Sequence, residues 1–446
     1  MFLVILKIGT LPFNYLGVPV FRGKPKVVHL QPIVDKIKAK LSSWKALLLS
    51  IAGRVAMVKS IIHSMLTHCI TFYSWPVSLL KEIEKWIRNF IWSGDINKRK
   101  IVTVAWKKVC KPFAKGGLGI ISLITLNQAS NLKLRWDLIT SQQPWAILLR
   151  KRAIRGRKPI NYHIFSSIWS SVKSDFQSIL NNSQWILGSG DDIRFWTDPW
   201  CGPPIADSLN IPPHQATNLS AIVSDFIFDF EWYIPPVVLQ SFPHISSLFS
   251  HIFIPKVPLE DNLVWSDSKT GNLTLKEAFT HLTPPGQHLQ WAKKVWSVDF
   301  PPSKSLLSWR LMHDRVPTDD QLMKRGCSMA SICSLCFSSC ETTFHLFFQC
   351  SFARKLWSWL VSIMNCNLQF NAIEDIWKVC DRNWSPQCQV TITASVINLL
   401  NTIWFSRNQS RFFDKNPYWK SAINLIISNV SLSGNLTNKS SVVDIT

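Results

Sequence analysis

The feature that most constrains this chain is a cluster of soft ligands late in the sequence. The stretch CSLCFSSCETTFHLFFQC, from Cys333 to Cys350, holds four cysteines and one histidine. Zinc takes four thiolate or imidazole ligands in a tetrahedron, and two cysteines separated by two residues form a knuckle that supplies half of them. Cys333 and Cys336 have that spacing. His345 and Cys350 are separated by four residues in a segment with a helical pattern, and the whole reads C-x2-C-x8-H-x4-C. These spacings suit a closed structural Zn2+ site with no position left for water and hence no metal catalysis. Cys340 competes with His345 or Cys350 as a ligand; Cys327, which precedes the knuckle, competes more weakly. The alternative is a set of reduced core cysteines with a core histidine, because cysteine packs as a small hydrophobe. A knuckle with a second Cys/His pair so close to it favours the metal. Phe344, Leu346, Phe347, Phe348, Phe352, Leu356, Trp357 and Trp359 add apolar surface, so zinc is expected to pin their helix against one at 303–312.

The chain has 446 residues, enough for two to four domains, and 47% of them are apolar. Of the 11 cysteines, the five from Cys327 to Cys350 are clustered and the rest are sparse. A disulfide scaffold would be small and cysteine-dense throughout. The pattern instead predicts a reducing intracellular compartment, nucleus or cytoplasm. No run of 18 or more apolar residues occurs, so neither a transmembrane helix nor a membrane partner is expected. The opening MFLVILKIGTLPF reads as a buried strand rather than a signal peptide. The 22 tryptophans follow no repeat period.

The net charge of +22 is unevenly spread. Residues 1–160 hold 28 of the 49 Lys and Arg but only 5 of the 27 Asp and Glu, while residues 161–446 are close to neutral. An ordinary surface mixes signs. A basic segment joined to a neutral one implies a polyanionic partner, RNA and/or DNA ahead of an acidic membrane surface, though a ribosomal or purely solubilising role would give the same asymmetry.

Hydrophobic spacing places helices through that basic segment. From Pro32, the residues Ile33, Ile37, Leu41, Trp44, Leu48 and Ile51 form an apolar stripe, with Lys36 and Lys40 off it. Gly53 permits a break or close packing, and Arg54 and Lys59 carry the basic character into a second helical stretch. A third follows Pro76, with Leu79, Ile83, Trp86 or Ile87, and Phe90 inward and Lys81, Lys85 and Arg88 outward. Lys98, Arg99 and Lys100 form a cluster after it. These ten cations are the candidate nucleic-acid contacts. KPFAKGGLGI lacks the Lys-Ser/Thr pair of a phosphate-binding loop and reads as a tight turn. WILGSGDDIRFWTDPW and DNLVWSDSKTGNLTLKEAF each read as a local hairpin, the second followed by a helix from Lys276. Asp191 and Asp192 have no third acidic partner nearby and read as a solvated turn. The proline-rich stretch 203–258 reads as irregular and partly exposed. Thr318 is placed to cap a helix that begins Asp319, Asp320, Gln321. VINLLNTIWFSRNQSRFF is the longest helical stretch. The fold expected is mainly α with small β hairpins: a basic helical segment followed by a zinc-stabilised α-rich module.

LPFNYLGVPV, SSWKALLLSIAGRVAMVKSII, WSGDINKRKIVTVAWKKVCKPFAKGGLGI, GSGDDIRFWTDPW, FPPSKSLLSWRLMHDRVPT and CSLC…ETTFHLFFQC, in that order, resemble plant LINE-type (non-LTR) retrotransposon reverse transcriptases. The likeness covers about residues 10–360 and lies in the part after the polymerase palm; IWFSRNQSRFF resembles the segment that follows. The resemblance implies a thumb or connection segment at 1–160, a hairpin and Pro-rich linker at 161–257, and the reverse-transcriptase zinc-binding domain at 258–365. A helical tail at 366–446 would lead toward a ribonuclease H domain. That family copies RNA into DNA with two metals held by a palm Asp-Asp pair that follows an aromatic. The pairs Asp191–Asp192 and Asp319–Asp320 do not fit that motif. The expectation is a non-catalytic C-terminal fragment of an RNA-directed DNA polymerase that binds nucleic acid. The alternatives are part of a mis-split or separately encoded active enzyme, working beside a separate palm, and a non-functional pseudogene product.

Overall fold

In the computed structural model the described residues are 11–435, apart from 45, 156–157, 161, 163, 174–176, 217 and 258. The first ten residues, which carry most of the expected N-terminal strand, and the polar end after 435 lie outside them. The protein is mainly α-helical with two-stranded antiparallel sheets, as the pattern predicts. In chain order the elements that matter are β1 (Phe13–Tyr15), β2 (Val18–Val20), α1 (Val27–Ser43), α2 (Ile51–Met57), α3 (His63–Ile70), α4 (Val77–Ser93), α5 (Leu123–Thr140), β3 (Ser183–Ile186), β4 (Asn262–Trp265), α6 (Leu275–Leu282), α7 (Gln290–Val295), α8 (Pro302–Met312), α9 (Asp319–Met323), α10 (Ser351–Met364), α11 (Pro386–Phe413) and α12 (Trp419–Asn435).

The chain divides into two compact units, both discontinuous in sequence. One comprises 1–31, 67–77 and 123–284; the other comprises 32–66, 78–122 and 285–446. These units cut across the contiguous segments expected from composition. The ten candidate cations and the cysteine cluster fall in the same unit.

In the first unit β1 pairs antiparallel with β2, Phe13 opposite Val20. The two local hairpins expected further on do not form as such. Instead β3 pairs antiparallel with β4, Ser183 opposite Trp265 and Ile186 opposite Asn262. The residues that would have folded back on β3, Ile193, Phe195 and Trp196, are buried instead in an apolar cluster with Val223, Phe226 and Phe249. Phe195 stacks on Phe226 at 3.9 Å between ring centroids. The stretch 203–257, expected to be irregular, instead carries short helices and a two-stranded hairpin, Ile227–Phe228 with Glu231–Trp232, around a buried core. A second core forms where α6 packs on α5; Trp136 meets Trp265 edge-on at 5.7 Å. Thr274 starts α6 with a capping box: its hydroxyl accepts from the Glu277 amide, and Glu277 accepts from the Thr274 amide.

In the second unit α4 buries Leu79, Ile83, Trp86, Ile87 and Phe90 and exposes Lys81 and Lys85, as its spacing predicts. Helix α1 differs from expectation. It begins at Val27, keeps Pro32 inside, and buries Leu30, Val34, Ile37 and Leu41. Proline removes one amide bond but its φ is helical. The carbonyl left over belongs to Val28, whose residue is exposed and open to water. The stripe ends at Leu41, because the chain leaves the helix after Ser43 and Leu48 is exposed. The break expected at Gly53 comes earlier: Ser50 caps α2, and its hydroxyl accepts from the Gly53 amide at 3.1 Å.

The glycine loop is a tight turn, as expected. A Cβ on Gly117 would lie 1.8 Å from the Lys111 carbonyl oxygen. The neighbouring Gly116 carbonyl accepts from Trp309 Nε1 at 2.8 Å and meets His313 Nε2 at 2.7 Å, which docks the loop on α8.

Helix α11 is the longest element and packs against α8, α10 and α12. By length and composition it is long and apolar enough to cross a bilayer, a test that the core helix of a folded unit also passes. Its apolar window is interrupted by serine, threonine and asparagine, which break a run without lowering the mean far. In the folded unit 61% of that window is buried.

Candidate metal centre

The metal centre is assembled from a loop and a helix start. In the loop, the Phe337 amide donates to the Cys333 carbonyl at 2.9 Å and the Cys333 amide to the Ser339 carbonyl at 2.8 Å. This closes a tight turn around Cys333 and Cys336, with Phe337 at φ 53°. The other two ligands sit at the ends of a π-helical turn, His345–Gln349, that runs into α10. The Cys350 amide donates to the His345 carbonyl at 2.7 Å, a bond five residues long.

One ligand atom from each of Cys333, Cys336, His345 and Cys350 lies within 4.8 Å of every other. Cys333 Sγ is 3.8 Å from Cys350 Sγ, and Cys336 Sγ is 3.3 Å from His345 Nε2. With zinc–sulfur bonds of about 2.3 Å, a tetrahedral site has sulfur–sulfur edges of about 3.8 Å and sulfur–nitrogen edges of about 3.6 Å. The donors therefore fit a zinc ion. The shorter Cys336–His345 distance is that of a thiol–imidazole hydrogen bond in its place. All four cysteines of the stretch are free thiols; Cys340 is exposed and outside the group. Cys327 is free and outside it as well.

The thiols are electrostatically paired. Cys333 donates to Cys350, and this bond, with burial, pushes the Cys333 thiol far up. The same bond holds Cys350 down, helped by the Phe352 and Ala353 amides at the start of α10. Burial pushes His345 down, with the Arg354 charge adding to it and Glu341 opposing. Both downward shifts favour the forms that a cation binds, a neutral imidazole and a deprotonated sulfur.

The helix bearing Cys350 packs on α11 and α12, and it is α11 that meets α8. The direct pinning expected against 303–312 thus runs through α11. Thr318 stands at the start of α9 as expected, but its hydroxyl does not cap it. It donates to Asp320 Oδ1 at 2.5 Å and meets Thr343 Oγ1 at 2.8 Å. Asp319 and Glu341 are fully buried. Arg407 forks onto Glu341 at 2.9 and 2.5 Å, and Arg411 reaches Asp319 at 2.6 Å. Sequence reasoning missed this network. Its one signal was that IWFSRNQSRFF repeats arginine at a one-turn spacing, Arg407 and Arg411, which puts both on one helix face.

The ten candidate cations divide. Lys36, Lys40, Lys81, Lys85, Lys98, Arg99 and Lys100 are exposed. Arg88 is half-buried with its guanidinium 5.7 Å from the Trp106 ring. Arg54 is buried and donates to the carbonyls of Ala46 at 2.9 Å and Ile91 at 3.1 Å. Lys59 is half-buried, 3.4 Å from the Leu118 carbonyl oxygen and 4.4 Å from the Phe113 ring. These last two tie the unit together internally. Lys107, Lys108 and Lys111, which sequence reasoning did not single out, are exposed.

A Cys3His cluster set between a knuckle and a helix start defines a metal-binding module whose donors suit zinc. Comparison with known proteins agrees: residues 273–357 match the family described as zinc-binding in reverse transcriptase. The chain is 25% identical over 343 residues to a putative ribonuclease H protein of Arabidopsis thaliana, covering 73% of this chain and 54% of that protein. It is 31% identical over 144 residues to an uncharacterized mitochondrial protein of Arabidopsis thaliana, covering 30% of this chain and 88% of that protein. The chain thus spans about half the length of the first relative. It belongs to the retrotransposon reverse-transcriptase-related proteins and corresponds to their C-terminal region.

Proposed function

We propose that this chain is a nucleic-acid-binding segment of a LINE-type retrotransposon reverse transcriptase, held in shape by one structural zinc and without polymerase chemistry of its own. The observation that carries the reading is the Cys3His cluster, which falls inside the residues matched to the zinc-binding family. Four protein ligands close the tetrahedron, so zinc acts on folding and leaves no site for a reacting water. Seven exposed cations in the same unit supply phosphate contacts for RNA or DNA. Neither Asp-Asp pair is offered to catalytic metals. Asp319 is held by Arg407 and Arg411, and Asp320 by Thr318 and the Thr343 amide. Asp191 and Asp192 lie in an exposed loop whose amides, at Gly188, Gly190 and Asp192, turn onto Asp261. Thumb, linker and zinc-domain roles for 1–160, 161–257 and 258–365 belong to the same proposal, as does a reducing nuclear or cytoplasmic setting.

The test is primer extension by the purified chain on an RNA template with Mg2+ or Mn2+, beside binding of the same labelled duplex. Binding without extension is expected. Template-dependent dNTP incorporation would overturn the non-catalytic reading, and absence of binding would overturn the nucleic-acid reading. If extension appears only when a separately made palm is added, the chain works as part of a split enzyme.

A further inference from the structure

The matched zinc-binding region ends at residue 357, yet the loop and helix that carry the ligands are fastened to groups well beyond it. Three side chains of α11, Arg407, Ser410 and Arg411, fall at i, i+3 and i+4 and so share one helix face. Ser410 Oγ donates to the Ser334 carbonyl at 2.7 Å, inside the knuckle between Cys333 and Cys336. Arg407 forks onto both oxygens of Glu341, four residues before His345. Arg411 binds Asp319 at 2.6 Å. Glu341 in turn ties the surrounding loops: its amide donates to Ser331 Oγ at 2.9 Å, its carbonyl accepts from the Asp320 amide at 3.3 Å, and its carboxylate accepts from the Asp319 amide at 3.3 Å. Both halves of the ligand set are thus anchored to a single face of α11.

The chemistry of these contacts sets their rigidity. A guanidinium–carboxylate fork fixes distance and angle together, which a point charge does not. Glu341 and Asp319 have no exposed surface, and the Arg407 side chain is 3% exposed, so water does not compete for the pairing. Removing one partner leaves a buried carboxylate uncompensated, and the loop must move to hydrate it. Ligand loops that move hold a metal less tightly.

We infer that Arg407, with Ser410 and Arg411, is a positioning residue of the metal centre. The metal-holding module of this protein therefore extends through α11 to Arg411 and does not end with the matched region. The inference rests on the reading of the four ligands as a zinc site. It implies a reciprocal effect, because whatever α11 gives to metal binding, metal binding gives to the order of α11.

The experiment uses the full chain and zinc alone. Zinc affinity is measured by competition with a chromophoric chelator for wild type, Arg407→Met, Arg407→Lys and Asn127→Ala. Asn127 is a buried residue of the other unit that bonds Trp75, Tyr73 and Ile70, so its loss lowers stability at a distance from the metal. Arg407→Met is expected to weaken zinc binding by about 10- to 100-fold. Arg407→Lys should recover part of that loss, and Asn127→Ala should keep wild-type affinity while melting earlier. In a parallel measurement on wild type, which does not depend on a variant folding, chelation should speed hydrogen exchange at residues 403–411. Wild-type zinc affinity in Arg407→Met, or exchange at 403–411 indifferent to chelation, overturns this inference and leaves the zinc site standing. A wild-type chain that holds no zinc overturns both.

Discussion

His345 and Cys350 face the same metal position because the Cys350 amide bonds back to the His345 carbonyl across five residues, at 2.7 Å. In a regular α-helix five residues advance about 500°, which leaves two side chains about 140° apart. The wider π turn returns them to one side. Such turns recur at functional sites because they aim side chains that α geometry would separate. A separation of four residues between ligands is thereby compatible with a helix, and the two donors arrive opposite the knuckle.

The ligand assignment predicts about one zinc per chain by metal mass spectrometry. Cys336→Ser and Cys350→Ser should lose it, since each removes a corner of the tetrahedron. Cys340→Ser should keep it, because Cys340 is exposed and outside the cluster. Loss of zinc in Cys340→Ser with retention in His345→Ala would refute the ligand set.

Gly117→Ala should destabilise the chain by at least about 3 kcal/mol, because the added methyl meets backbone that has no rotamer to yield. Trp309→Phe should cost less, about 1–2 kcal/mol. It removes one donor to the Gly116 carbonyl, and His313 remains beside that oxygen. Urea titration read by the other tryptophans measures both. A Gly117→Ala chain as stable as wild type would mean the loop is not closed against Lys111.

The knuckle, the α4 face and the long helix α11 were legible because each is local: a fixed ligand spacing or a repeat of 3.6 residues writes them into a short window. What was not legible is what distant residues decide. β3 reads as half of a hairpin, and it finds β4 instead because Phe195 and Trp196 are taken into a core with Val223, Phe226 and Phe249. Arg54 and Lys59 read as surface cations like their neighbours, and only the fold turns them toward carbonyls. Glu341 and Arg407 are 66 positions apart, so no window shows that they neutralise each other.

Stability should fall with acid through His63. Burial first, and the Lys59 charge second, push its pKa down to about 4 from an ordinary value of 6.5. Below pH 6.5 the unfolded chain takes up the proton before the folded one. The contribution is therefore complete above that pH and is lost as pH falls toward 4. Between pH 7 and pH 5 this amounts to about 2 kcal/mol. Zinc release adds its own acid sensitivity, so the diagnostic comparison is the difference in urea stability between wild type and His63→Gln at the two pH values. An unchanged pH dependence in His63→Gln would show that His63 titrates normally.

The two kinds of cation make the sharpest contrast. Each phosphate contact that is lost reduces the slope of log affinity against log salt by about one. Combined substitution of the exposed Lys98, Arg99 and Lys100 by alanine should therefore weaken binding of a labelled RNA–DNA duplex and lower that slope by about two to three, with little effect on stability. Arg54→Met should do the reverse. It empties two buried carbonyl acceptors, at Ala46 and Ile91, at a cost of about 1–3 kcal/mol each, and it leaves the salt slope of the folded protein as it was. Titrations at several salt concentrations and urea melts of the same samples separate the two effects. If the triple variant keeps the full slope while Arg54→Met loses it, the exposed cluster after α4 is not where phosphate is held.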